Sequence, residues 1–436
     1  MSRFPLALLA PALLAACEPL DPPALRDPGT CEGCHPDHVR EWASSMHAYA
    51  SDDPVFVAMN RRGQRETGGA LGSLCVGCHA PLAVALGATS DGLDLAELPR
   101  ELRGVGCVAC HQITDIEALH NGGMRLSEDG VMRGGIRSPV ATAAHGSERS
   151  ALLDADSLES SRACGSCHDV VLPGGLAVER TFAEWQTSLF ARGQTGVSCA
   201  SCHMFRREGP AALGGPTRAL HDHSLPGIDV AVTDWPGRDS QLAGIQRDLL
   251  GALTTSVCVQ PTGGGVEVSV TLDNAQAGHA FPSGTTHARR VWVELAAETG
   301  GVTTQTIGRF EPGEVVHAGD DPDAWVLGSQ FRDARGGEVQ FAWEAAAIDS
   351  ELLAPSVTLD PAEPGYFHAR TRSWPIVGHP DAIRVALRVQ PIGLDILDDL
   401  IASGDLDPGV RDTMPTHALD GAARVWHASD GYGCVP

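Results

Sequence analysis

Cys31-Glu-Gly-Cys34-His35, Cys75-Val-Gly-Cys78-His79, Cys107-Val-Ala-Cys110-His111, Cys164-Gly-Ser-Cys167-His168 and Cys199-Ala-Ser-Cys202-His203 are copies of one pattern, Cys-x-x-Cys-His. They fall in a single run of the chain, between Cys31 and His203. The pattern is the attachment motif of c-type haem: two thiols form thioethers to the porphyrin vinyl groups, and the adjacent His is held under the iron. Structural zinc would use the Cys pairs but has no need of a His directly after every second Cys. Disulfides need no His at all. Five covalently held haems are therefore expected, with His35, His79, His111, His168 and His203 as proximal iron ligands.

The chain opens Met1-Ser-Arg3-Phe-Pro-Leu-Ala-Leu-Leu-Ala-Pro-Ala-Leu-Leu14-Ala-Ala-Cys17. A basic residue, a short apolar run and small residues before a cut read as an export signal over residues 1–16. The apolar run is too short to span a bilayer as a permanent helix. Leu14-Ala15-Ala16-Cys17 resembles the lipobox of bacterial lipoproteins, in which the mature chain begins at a lipidated Cys. The other reading is an ordinary cleavage site beside a chance Cys; against it, Cys17 belongs to no haem motif. Several acyl chains on one Cys give stable anchoring. Glu18 at the second mature position resembles cargo sent on to the outer membrane. A periplasmic-side, lipid-anchored location is expected, and it agrees with haem attachment to an exported chain.

The 436 residues suggest two or three domains by length. Net charge is −24, and all 31 basic residues are Arg. So acidic a chain repels nucleic acid and attracts basic patches on redox partner proteins. Aromatic content is only 5%, thin for a core in the haem region, where the porphyrins themselves supply apolar bodies to bury. Of the 13 Cys, Cys258 and Cys434 remain after the haem thiols and Cys17 are assigned. In an oxidising compartment they are expected to form a disulfide around the C-terminal region.

Residues 17–30, rich in Pro, Asp and Leu, read as a linker to the first haem. After the first motif, Trp42, Ser45 and Tyr49 fall at helical spacing. The segment Trp42-x-x-Ser45-x-His47 resembles the first-haem signature of multihaem cytochromes related to the tetrahaem cytochrome of hydroxylamine oxidation. That resemblance makes His47 a distal iron ligand, and a His placed like His145 another. It also points to one of His221 and His223, in a His-x-His-x-x-x-Gly stretch, without choosing between them. His120 is an isolated further candidate. Trp185-x-x-Ser188 is followed by Leu189-Phe190, so this second copy lacks the ligand that the first supplies. The pair Cys75/Cys107 and the pair Cys164/Cys199 are spaced alike and share a Gly-Val-x lead-in, which looks like a duplicated two-haem unit.

From about residue 255 the pattern changes. Val266–Leu272, Arg290–Leu295, Thr303–Ile307 and Ile383–Val389 alternate with period two, and Gly, Pro and Asp runs separate them. The expected architecture is α+β: a mostly helical, loop-rich pentahaem domain over 31–250, then an antiparallel β-sandwich-like domain over 255–434. Gly278-His279-Ala-Phe-Pro282-Ser-Gly284, followed by Arg289-Arg290, resembles the segment through which the β-domain of the same family returns a His to a haem, which makes His279 a ligand. His317, His368, His379, His417 and His427 are read as ordinary surface residues.

Two functions follow from the number of axial ligands. If every iron has two His, the chain is a wire for electrons in the periplasm or at the outer membrane. If one iron has an open axial position, a haem-based oxidoreductase of nitrogen-oxide or hydroxylamine type, with a small-molecule acceptor, is the alternative. The Lys-ligated catalytic haem of pentahaem nitrite reductases is impossible in a chain without Lys. The Tyr cross-link of hydroxylamine oxidoreductases has no matching context at Tyr49, Tyr366 or Tyr432.

Overall fold

The protein is described by a computed structural model that covers residues 20–140, 142–193, 196–317, 321–366 and 368–435. The candidate export signal and Cys17 lie outside the described residues. Helix and strand take near-equal shares, 30% and 26%, so the chain is mixed α+β.

In the N-terminal half the helices are short, and each haem motif rides on roughly one helical turn. Cys107–His111 and Cys199–His203 are helices in their own right, and Cys75 caps the helix Val76–His79. Cys-x-x-Cys spacing on such a turn brings both thiols to one side, since residues three apart share a helix face. Two-stranded pairings stand between the turns: Ile113–Ile116 with Met124–Leu126, Val131–Gly134 with Gly146–Arg149, Val170–Val171 with Ala177–Glu179, and Arg206–Pro210 with Thr217–His221. This half is thus less helical than its sequence suggested, because its helices are short and two-stranded pairings separate them.

Two expectations about this half are corrected. Within 17–30 the described residues are not a free linker. Asp21 and Asp27 cap the short helices Pro22–Arg26 and Pro28–Glu32, and Leu25 is buried against Leu82 and Val108. Side-chain capping at Asp-Pro junctions accounts for the order. The run after the first motif is broken into Pro36–Ala43 and Met46–Tyr49, because Ser45 turns extended and its hydroxyl caps the second piece by accepting from Ala48 N.

In the C-terminal half the period-two runs are strands. One antiparallel sheet has the order Ala369–Val377, Gly265–Asp273, Thr254–Pro261, Gly433–Val435. The second, of eight strands, is centred on Arg290–Thr299 paired with Ala382–Gln390 over their whole length. The inward faces meet in one core: Val257, Val268 and Val270 from the first sheet, Val293, Leu295, Val385 and Leu387 from the second. Each such side chain contributes roughly 1.5–3 kcal/mol of burial. A disulfide joins Cys258 to Cys434, which face each other across neighbouring strands.

The halves are not independent in packing. The helix Arg238–Ala252 places Ile245 and Leu249 in the core between the sheets, although its sequence precedes the first strand. Val55 and Ala58, from the helix Pro54–Glu66, pack with Leu394 and Leu397 of the helix Leu394–Ala402. Arg289 holds Asp229 with both terminal nitrogens, at 2.7 and 2.9 Å.

Candidate functional site

The His of each haem motif has its Nδ1 engaged by the chain. His35 donates to the carbonyl of Ala211 at 2.6 Å, His79 to Ala50 at 2.9 Å, His111 to Arg133 at 2.5 Å and His203 to Pro226 at 2.9 Å. A carbonyl oxygen can only accept, so Nδ1 carries the proton and the lone pair lies on Nε2, the atom needed for iron. His168 differs. Its Nδ1 faces the carboxylate of Glu179 at 3.6 Å.

Four of these rings have a second imidazole facing them. His35 and His145 have centroids 6.2 Å apart, His111 and His223 6.1 Å, His203 and His279 6.4 Å, and His168 and His47 6.2 Å. Two imidazoles bound to opposite faces of one iron, with bonds of about 2 Å, place their ring centres about 6 Å apart. The pairs therefore fit a two-His iron centre, in addition to the thiols that fit thioether attachment. Three pairs have near-parallel rings, at 30°, 26° and 15°, whereas His47 and His168 stand at 82°.

Two of the facing rings are held through Nδ1 as the motif rings are. His145 donates through Nδ1 to Gly146 at 2.9 Å, and His279 to Ala280 at 2.8 Å. The His279 loop is pinned to the N-terminal half by Glu184, whose carboxylate accepts from Ala280 N at 3.1 Å and from the Ser283 hydroxyl at 2.6 Å. Gly278, at φ +75°, lets that loop pass beside the Phe190 ring, where a Cβ would meet its carbons at 3.3 Å. Burial first, and neighbouring imidazoles second, lower His47 to about 4, and burial lowers His111 and His279 to about 4 as well. These rings are neutral at physiological pH, as an iron ligand must be.

His223 is the member of the His221/His223 pair that faces a motif ring. His221 donates to the Met204 carbonyl at 2.7 Å, and among the described residues no imidazole faces it or His120 in ring contact. The His79 ring lies flat on Phe56, centroids 3.8 Å apart and 2° from parallel; no described imidazole faces it either. His38 takes a hydrogen bond on Nδ1 from Arg207 Nη2 at 3.1 Å, so its proton sits on Nε2 and that atom has no lone pair for a metal. His417, read as a surface residue, is buried, with Nε2 bonded to the Ile228 carbonyl at 3.1 Å.

The motifs also touch one another. The Cys31 thiol lies against Cys107, Cys78 against Cys167, and Cys164 against Cys199, and Cys110 is close enough to sense Cys167. The spacing likeness of Cys75/Cys107 to Cys164/Cys199 is thus not the spatial pairing: Cys107 adjoins Cys31. Read as a path, the contacts run from the first motif to the third and on to the fourth, and the second and fifth motifs both meet the fourth. Sequence reasoning missed Glu179, Glu184 and Glu41, whose carboxylate lies 3.8 Å from His223 Nδ1. None of them sits in a motif, so only proximity reveals them.

Residues 30–112 match the family described as cytochrome c554 and c-prime. Along 91% of its length the chain superposes on 97% of a penta-haem cytochrome c552 from Thermochromatium tepidum, with a TM-score of 0.62 and 20% identity. The two share a fold. No curated protein matches the chain. These likenesses support a multihaem c-type cytochrome.

Proposed function

We propose that the chain is an electron carrier that binds five c-type haems through its five Cys-x-x-Cys-His motifs. When bound, each haem supplies an iron that takes up and gives away one electron. The observation that carries the reading is the set of four facing imidazole pairs. They would hold four irons between two imidazoles each, and the rings of His35, His111, His203, His145 and His279 are anchored through Nδ1, so those ligands need not rearrange as charge arrives. The motif contacts keep neighbouring sites close enough for transfer, and the net charge of −24 favours basic surfaces on redox partners over nucleic acid. The relation to hydroxylamine oxidation suggested by Trp42-x-x-Ser45-x-His47 is part of the same proposal. So is a lipid anchor at Cys17 on the periplasmic side, at the outer membrane. Acyl labelling that persists in Cys17→Ser would overturn the anchor.

A second reading rests on His79, which has Phe56 beside it and no described imidazole facing it. An iron held there would be open to a small molecule, as a haem oxidoreductase requires. Low-temperature EPR and optical spectra of the oxidised holoprotein, with a haem count by mass, separate the two. Five low-spin haems make the chain a carrier alone; one stoichiometric high-spin signal calls for assays with nitrite, hydroxylamine and nitric oxide.

A further inference from the structure

The fourth motif occupies the junction of the contact path, and among the described residues its His is the only motif imidazole whose Nδ1 faces a carboxylate without a backbone carbonyl partner. Glu179 ends the strand Ala177–Glu179, which pairs with Val170–Val171 just beyond His168. That local hairpin aims the side chain back at the ring, to 3.6 Å. Arg289 senses Glu179, but both its terminal nitrogens are taken by Asp229 at 2.7 and 2.9 Å. The Glu179 carboxylate is therefore left facing the imidazole.

Resting on the haem reading above, we infer that Glu179 is a positioning residue that makes the midpoint potential of the His168 haem more negative than a carbonyl partner would. A carboxylate draws the Nδ1 proton toward itself, the ring gains imidazolate character, and the stronger donor favours the ferric state. The anionic charge beside the site acts in the same direction. The consequence falls on traffic: an electron arriving where three routes meet passes on instead of being trapped.

The structure also provides a way to watch this one site. His47 and His168 are the only facing pair near perpendicular, 82° against 30° or less in the others. Perpendicular ligand planes leave two iron d orbitals nearly degenerate and give a low-spin EPR signal with an unusually large g value, distinct from near-parallel pairs. The experiment is a redox titration of that signal in wild-type holoprotein, Glu179→Gln and Asp248→Asn. Asp248 is a control, because its neighbour His203 already has the Pro226 carbonyl.

In Glu179→Gln the large-g signal should titrate roughly tenfold more easily toward reduction, about 59 mV for one electron, with the remaining midpoints in place. Asp248→Asn should leave that signal where it was. An unmoved signal in Glu179→Gln with five haems still attached overturns the inference, as does an equal shift of every haem. If Glu179→Gln does not assemble, Glu179→Asp keeps the charge at a longer reach and should shift the same signal positively by a smaller amount; no shift there also overturns it. A wild-type mass with fewer than five haems would instead sink the underlying proposal, and the two failures are distinguishable.

Discussion

The indole of Trp42 donates to the carbonyl of Val105 at 2.8 Å, and the relationship is repeated by Trp185 and Val197 at 2.9 Å. The likeness extends further. Val105 N donates to His47 O and Val197 N to Phe190 O, both at 2.8 Å, and Ser45 and Ser188 each donate to the preceding Trp carbonyl at 2.7 Å. Phe190 thus stands where His47 does. The repeated unit joins a motif to the Gly-Val-x-Cys motif it touches: Cys31 with Cys107, and Cys164 with Cys199.

Trp42→Phe and Trp185→Phe each leave a part-buried carbonyl without its indole donor. Each should lower holoprotein stability by about 1 kcal/mol, measured by thermal melting at constant haem content. Unequal losses of several-fold would argue against structural equivalence of the two units.

Replacing a facing His should expose one iron at a time. His145→Ala, His223→Ala, His279→Ala and His47→Ala are each expected to convert one low-spin haem to high-spin, and His47→Ala should also abolish the large-g signal. His221→Ala and His120→Ala should leave the spin states unchanged. Optical and EPR spectra of the oxidised variants read this directly.

Burial, with Asp229 nearby, raises Asp53 to about 6, despite its cap bond to Val55 N. A raised acid pKa means that the folded state holds the proton more tightly than the unfolded chain, where Asp titrates near 4. Stability should therefore fall as pH rises from about 4 through 6, and then level off. Asp53→Asn keeps an N-cap without the charge. Its melting temperature relative to wild type should rise across that window; a difference independent of pH would contradict the assignment.

The Cys258–Cys434 disulfide closes a separation of 176 residues. Cys258→Ser with Cys434→Ser should cost about 2–4 kcal/mol, seen as a lower denaturation midpoint. Haem content should stay at the wild-type level, because no motif lies between the two Cys.

Much of this molecule was legible in residues close together along the chain. Attachment chemistry is written in five-residue motifs because, from a single helical turn, both thiols must reach the vinyl groups and the His the iron of one porphyrin. Strands such as Gly265–Asp273 and Ala382–Gln390 were legible because a half-buried strand alternates. The order of Leu25 was not, since its burial partners Leu82 and Val108 are remote in sequence; nor was the buried state of His417.

By itself the sequence determined which residues can carry the haems, because covalent attachment needs neighbours along the chain. Only the tertiary structure decided which His faces which, that His223 rather than His221 meets His111, that His79 has Phe56 beside it, and that Glu179 lies against His168. An iron takes its second ligand from across space, and a single imidazole in a loop carries no mark of the ring it will face until the chain has packed.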